Sequence, residues 1–314
     1  VDRESCLVRI NPERSVAMSV ASPEKYWRSA LQYSLRKENP IKRVTVPLNF
    51  HRTTPIRVAN STLVRRAFAN MGMAGLCMIG SSVAIAQQSP VTTLGIGAAA
   101  VPRYEGSSSY HATPFPILSA SRGIFFVDGL EGGIAYDLGD HVKVGALLSA
   151  EFGRDESDGS RLKGLGDIDT TAGYGAFVRW QDGAFDASAK YLQSAHSGYG
   201  ATLALAAKYK LVLDPRDNVA FEADSTFANQ KSMQTFFGVT PAQSAHGAAG
   251  LPAFSPSAGF KRVSTSATWV HILTPAWSVN GSVGVGRLLG DASASPVTEH
   301  STWIFGGVGV AYSF

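Results

Sequence analysis

Five acidic side chains crowd one stretch of the sequence: Asp155, Glu156, Asp158, Asp167 and Asp169 fall within fifteen residues. Clustered carboxylates suit a hard cation such as Ca²⁺. The EF-hand spacing is missing, because Gly159 comes one place early and no Glu closes the loop. A bound cation and a plain solvated acidic loop are both open readings. Six histidines follow the first hundred residues, His111, His141, His196, His246, His271 and His300. No spacing ties any of them to a Ser and an acid, so a hydrolytic triad has no positive support and no catalytic residue is assigned. The Gly-rich pieces GLGD (164–167) and VGVGR (283–287) lack the helix that a phosphate or dinucleotide loop needs after it, and no cofactor is expected.

A second set of charges is more ordered. Lys143, Arg179, Lys190, Lys208 and Lys210 share the less apolar face of their segments with Glu131, Asp137, Glu151, Asp186, Glu222 and Asp224. Folding 202–213 onto 219–230 about the turn DPRD (214–217) brings lysines to acids, since a hairpin pairs residues of constant sum. A sum of 432 sets Lys208 against Asp224 and Lys210 against Glu222; a sum of 430 keeps the faces and shifts the partners by two. Opposite charges facing a narrow interior should pair, which argues for a plugged lumen over a water-filled channel.

The elements that place these charges are strands. From residue 92 onward apolar side chains recur at every second position, as a half-apolar strand requires. In 277–289 Trp277, Val279, Val283 and Val285 oppose Ser278, Asn280, Ser282 and Gly284. Twelve such segments can be marked: 92–101, 114–121, 123–128, 130–138, 142–152, 171–180, 184–193, 202–213, 219–228, 260–273, 277–289 and 304–314. No stretch after residue 87 reads as a convincing amphipathic helix. Short turns at 139–141, 181–183, 214–217 and 274–276 alternate with long polar links, the asymmetry of an outer-membrane barrel. The expected fold is all-β, a transmembrane antiparallel up-and-down β-barrel of about twelve strands over 87–314. An even strand number puts both of its ends on the short-turn, periplasmic rim. Tyr136, Trp180, Tyr191, Tyr209, Trp269, Trp277, Trp303 and Tyr312 mark segment ends and are expected in aromatic girdles. The closing IFGGVGVAYSF resembles the last strand of bacterial outer-membrane barrels, whose assembly machinery reads a terminal aromatic; Tyr312 and Phe314 would be that signal.

Charge divides the chain. Residues 1–86 hold 13 Lys/Arg against 5 Asp/Glu, and the remainder 15 against 19, so the basic character belongs to the front and supports no nucleic-acid partner. Arg65 and Arg66, the apolar run 71–86 and its Ala84-Ile85-Ala86 end make a secretory signal peptide over 61–86, with cleavage before Gln87. Residues 1–60 show no sustained period and are expected to be a dispensable or mis-assigned extension. Cys6 and Cys77 both lie in this front part, leaving the exported chain without a disulfide or thiolate site.

Four blocks carry a family resemblance: LGIGAAAVPRYEGSSSYHATPFPIL (94–118), GRDESDGSRLKGLGDID (153–169), FFGVTPAQSAHGAAGLPAFSPSAG (236–259) and GRLLGDASASPV (286–297). With the Phe end they resemble the MltA-interacting protein/OmpV family of outer-membrane proteins over 92–314. Arg103 departs from the acid usual there before Tyr104 and Glu105. The resemblance implies a non-enzymatic scaffold in the outer membrane of a Gram-negative bacterium, bringing a lytic transglycosylase near a penicillin-binding protein. Some members are instead described as adhesins or antibiotic-responsive surface proteins. A narrow channel is the alternative, and a surface hydrolase the third reading. Outer-membrane lipid, lipopolysaccharide (whose bridging cations could visit the acidic loop) and the barrel-assembly machinery are the expected surroundings.

Overall fold

The computed structural model describes residues 92–314. The extension 1–60, the signal peptide at 61–86, the cleavage before Gln87, Cys6 and Cys77 lie outside the described residues.

Twelve antiparallel strands close into a barrel. They are β1 (Thr93–Pro102), β2 (Tyr110–Arg122), β3 (Phe125–Asp128), β4 (Glu131–Asp137), β5 (Val142–Glu151), β6 (Thr171–Asp182), β7 (Phe185–Ser194), β8 (Ala201–Val212), β9 (Asp217–Ala228), β10 (Gly259–Ile272), β11 (Trp277–Leu288) and β12 (Thr302–Ser313). Neighbours in sequence pair throughout, and β1 seals the ring against β12 with Ile96 opposite Val310. Closure leaves no free edge along that seam, which a bilayer demands of any spanning sheet.

Period two sorts the side chains. Leu94, Ile96, Leu148, Val283, Ile304 and Val308 stand exposed on the outer surface, a band of apolar side chains that water would not support but lipid does. Exposed aromatics rim the band at both ends. Tyr136, Trp180, Trp269 and Trp277 lie toward the short turns, and Tyr110, Tyr174, Tyr191 and Phe260 toward the long loops. Trp303 departs from the expected girdle: it is buried inside the barrel beside Phe305. Its odd number on β12 puts it on the face opposite the lipid-facing Ile304, Val308 and Val310.

The inward aromatics find space over glycines directly across the ladder. Gly97 faces Phe115, Gly284 faces Phe305, Gly286 faces Trp303 and Gly145 faces Phe177. A Cβ added at Gly286 would come within 2.1 Å of the Trp303 ring, and one at Gly284 within 2.3 Å of Phe305. A bare inward glycine is what lets a large ring lie across the wall.

The loops also differ from expectation. β2 begins at Tyr110, so the first long link shortens to 103–109. The 229–258 link forms two helices, α1 (Gln230–Phe237) and α2 (Pro241–His246), and a third, α3 (Gly290–Ala294), follows β11. Asn229 caps α1 by accepting from the Ser232 amide at 3.0 Å. α1 turns Met233 and Phe237 into the barrel, where they join Ala99, Val101, Phe115, Ile117, Leu288 and Trp303 in one apolar core. Eight residues are too few for a strong helical period in the sequence, which is why α1 did not show there.

Candidate functional site

The interior is the feature of the molecule that decides what it can do, and it has three layers. The lowest, toward the short turns, is ionic. Lys208 Nζ lies 2.9 Å from Glu222, Arg179 Nε lies 2.8 Å from Asp186, and Lys190 bonds Glu131. The β8–β9 register sums to 430, setting Lys208 against Glu222, Lys210 against Ala220 and Ala206 against Asp224. The 432 register is thereby corrected: Asp224 stands opposite Ala206 and accepts from the Ser264 hydroxyl on β10. The three-residue turn Asp214-Pro215-Arg216, closed by Asp214 accepting from the Arg216 and Asp217 amides, sets the offset. Asp137 and Lys143, 3.3 Å apart, pair in the open at the turn rim.

Above this lies the apolar plug of α1 and the inward aromatics. A bulge in β10 between Phe260 and Arg262 shifts the register there. Fully buried Lys261 reaches Glu105 at 2.8 Å, and Arg262 lies 3.7 Å from the same carboxylate. Sequence reasoning missed this cluster; the doubled base Lys261-Arg262 at the start of a segment was the one trace of it.

The outermost layer is a lid of loops. Tyr104, Leu162, Leu165, Val239 and Val297 form its apolar centre, with Leu251 and Phe254 against it. Arg161 ties the acidic loop to the β11–β12 loop by donating to the Pro296 and Thr298 carbonyls at 2.9 and 3.2 Å. Burial, then the neighbouring Glu299, push the Tyr104 hydroxyl well above its ordinary range. For Glu299 burial pulls upward, but hydrogen bonds from the Ser108 hydroxyl and amide and from Tyr104, with the Arg161 charge, hold it below the usual carboxylate value. Arg154 is pulled by burial down to about 10.

Three of the five acids of the loop are spent on its own backbone amides. Asp158 accepts from the Asp155 amide at 2.9 Å, Asp167 from the Glu156 amide at 2.7 Å, and Glu156 from the Gly166 amide. The Asp169 amide donates to the Tyr199 hydroxyl at 2.8 Å. Burial, then Asp158, Asp167 and Asp169, raise the Asp155 carboxyl. No three potential ligands converge among the described residues. The histidines stand apart. His271 Nδ1 lies 2.9 Å from Asp217, which also accepts from Trp269 Nε1 at 2.7 Å, and His141 lies 3.8 Å from Asp182. Both pairs sit at the turn rim, and His196 stacks on Tyr199 at 3.9 Å in the opposite loops.

At the chain end Tyr312 packs edge-on between Trp277 and Phe314, with ring centres 5.1 and 4.8 Å apart. Phe314 stays 72% exposed while its amide donates to the Thr92 carbonyl at 3.0 Å, so the terminal ring is presented outward from a fixed backbone.

Known barrels of similar outline are distant in sequence. The COG4313 outer membrane channel from Pseudomonas putida F1 is 11% identical, with a TM-score of 0.38 over 76% of this chain and 100% of that one. The outer membrane channel DcaP of Acinetobacter baumannii is 7% identical, TM-score 0.36, over 72% of this chain and 96% of that one. The NanC porin is 10% identical, TM-score 0.36, over 72% and 100%. No curated protein matches the chain. The family model described as MltA-interacting protein MipA matches residues 94–314, the whole barrel from β1 to the terminal Phe, and the chain belongs to that family.

Proposed function

We propose that this outer-membrane barrel is a closed, non-enzymatic post that holds peptidoglycan-remodelling enzymes at the inner face of the membrane. The observation that supports it most is the filled interior, in which α1 buries Met233 and Phe237 among the inward aromatics beneath a packed lid. A lumen stoppered in this way suits anchoring better than passage. The family's description names a partner, the lytic transglycosylase MltA, and a penicillin-binding protein is the second enzyme such a scaffold would gather.

Peptidoglycan enzymes work on the periplasmic side, so the docking surface is the rim of short turns. That rim offers exposed carboxylates at Asp137 and Asp182 beside Lys143 and His141. Phe314, at the same rim, is the assembly signal, and its deletion lowers the yield of heat-modifiable barrel. The deciding experiment is a pull-down from solubilised envelopes with the barrel as bait. Recovery of a lytic transglycosylase that is lost on Asp137→Lys with Asp182→Lys supports the post; recovery of no peptidoglycan enzyme by the folded protein contradicts it.

A further inference from the structure

Two strands are too short for the wall they belong to. β3 has 4 residues and β4 has 7, while the others run from 10 to 14. The pair turns back through Gly129, whose φ of +57 suits a two-residue hairpin. β2 is paired to β3 only from Ser119 to Arg122, and β5 to β4 only up to Ser149. Above that level residues 110–117 of β2 have β1 on one side and no strand on the other. The barrel wall therefore has a notch toward its outer rim. It runs roughly 25 Å along β2, from eight residues of strand rise, but only about 7 Å along β5, from Ala150 and Glu151, and is about 14 Å wide, from three strand spacings.

An unpaired edge in a bilayer exposes backbone donors that lipid cannot satisfy. The sequence removes half of them at this place, leaving those of Tyr110 and Ala112. The Leu118 carbonyl accepts from the Gly129 amide, so the even residues of β2 turn their backbone groups toward the notch. Two of those even residues, opposite Ala98 and Ile96 of β1, are Pro114 and Pro116, which have no N–H. An edge short of these donors is a poor template for a partner strand but a tolerable border for an acyl chain.

Behind the notch the polar atoms are unfinished. Three residues beyond the end of β5, Arg154 is 6% exposed and leaves Nε and Nη1 without a hydrogen-bond partner. It lines a void of about 10 Å³ with Tyr104, Glu105, Gly153 and Phe236, space for one oxygen-sized group. Lys261 and Arg262 answer the Glu105 charge, although its Oε1, which lines the same void, makes no hydrogen bond. On the two flanks of the notch, both ring nitrogens of His111 on β2 and Oε2 of Glu151 on β5 are likewise buried without partners.

We propose that the notch between β2 and β5 is a lateral binding site for a long-chain carboxylate, with its alkyl chain along the proline edge and its carboxylate on Arg154. A guanidinium with open N–H groups matches a carboxylate in charge and geometry. The wall gap gives the chain a path from the outer leaflet that does not cross the lid.

The test uses the whole protein purified in a nonionic detergent, titrated with sodium oleate and with oleyl alcohol and read by native mass spectrometry. Wild type should bind oleate at least about tenfold more tightly than the alcohol, and Arg154→Gln should erase that difference. Ala150→Trp and Ala112→Trp, which fill the notch from either flank on lipid-facing positions, should weaken both probes. Heat-modifiable migration checks that each variant folds; should Arg154→Gln fail to, the oleate-to-alcohol ratio of wild type and the two Trp variants still decide. Equal binding of the two probes by wild type, or oleate binding unchanged in both Trp variants, overturns the site.

Discussion

Trp303 on β12 lies across Gly286 on β11, its directly paired neighbour, and a methyl group at that glycine would fall inside the indole ring system. The same relation joins Phe305 to Gly284 one layer below. These rings form the wall side of the plug against which Phe237 packs. The closed interior is therefore built partly into the strands and does not depend on loops alone.

Gly286→Ala should destabilise the barrel by about 1–3 kcal/mol through overpacking, and Trp303→Ala by about 3–5 kcal/mol through the cavity left behind. The double variant should cost less than the sum of the two, because the added methyl has no ring to strike. Urea unfolding in detergent, followed by Trp fluorescence and gel migration, measures all three.

The β8–β9 register makes a sharper prediction about charge. A double-mutant cycle on Lys208 and Glu222 should give a coupling of about 1 kcal/mol or more, since both side chains are mostly buried and 2.9 Å apart. A cycle on Lys208 and Asp224 should give almost none, because Asp224 answers to Ser264. Comparable coupling in both cycles would put the hairpin in the other register.

Glu299 links the lid to pH. Its carboxyl titrates lower in the folded lid than in an unfolded chain, where about 4.3 is ordinary. A depressed carboxylate adds stability that is present above the unfolded value and is lost as pH falls through the folded one. Limited proteolysis of the outer loops should thus accelerate as pH drops below about 4, and Glu299→Gln should flatten the part of that profile due to this group. Proteolysis equally steep in wild type and variant would assign the acid sensitivity elsewhere.

The wall was legible in the sequence and the filling was not, for a physical reason. Outward residues face a uniform solvent, lipid, so Leu94, Ile96, Val283 and Val285 repeat at period two over whole strands. Inward residues face one another, and their pattern depends on which partner each one meets. Gly286 and Trp303 look unrelated until the β11–β12 register is known, and an aromatic near a strand end reads as a girdle residue unless its parity is checked. Lys208 and Glu222 could be assigned to one face by parity, while the turn decided their offset. Met233 and Phe237 sit in a thirty-residue link (229–258) with no sustained period, and only the finished barrel supplies the cavity that gives α1 its place. The acidic loop was conspicuous by composition, yet most of its carboxylates cap amides that composition cannot show.

Whether the interior is closed can be measured directly as single-channel conductance of the wild-type protein in planar bilayers. A plug built from Met233, Phe237, Phe115, Trp303 and Phe305 predicts no stable porin-like steps. It also predicts that removing residues 230–258 opens the barrel, whereas Glu222→Ala with Asp224→Ala, in the layer beneath, lowers stability and leaves the pore shut. Steady open-channel current from the intact protein, with steps like those of a general porin, would contradict the closed post and make the molecule a channel.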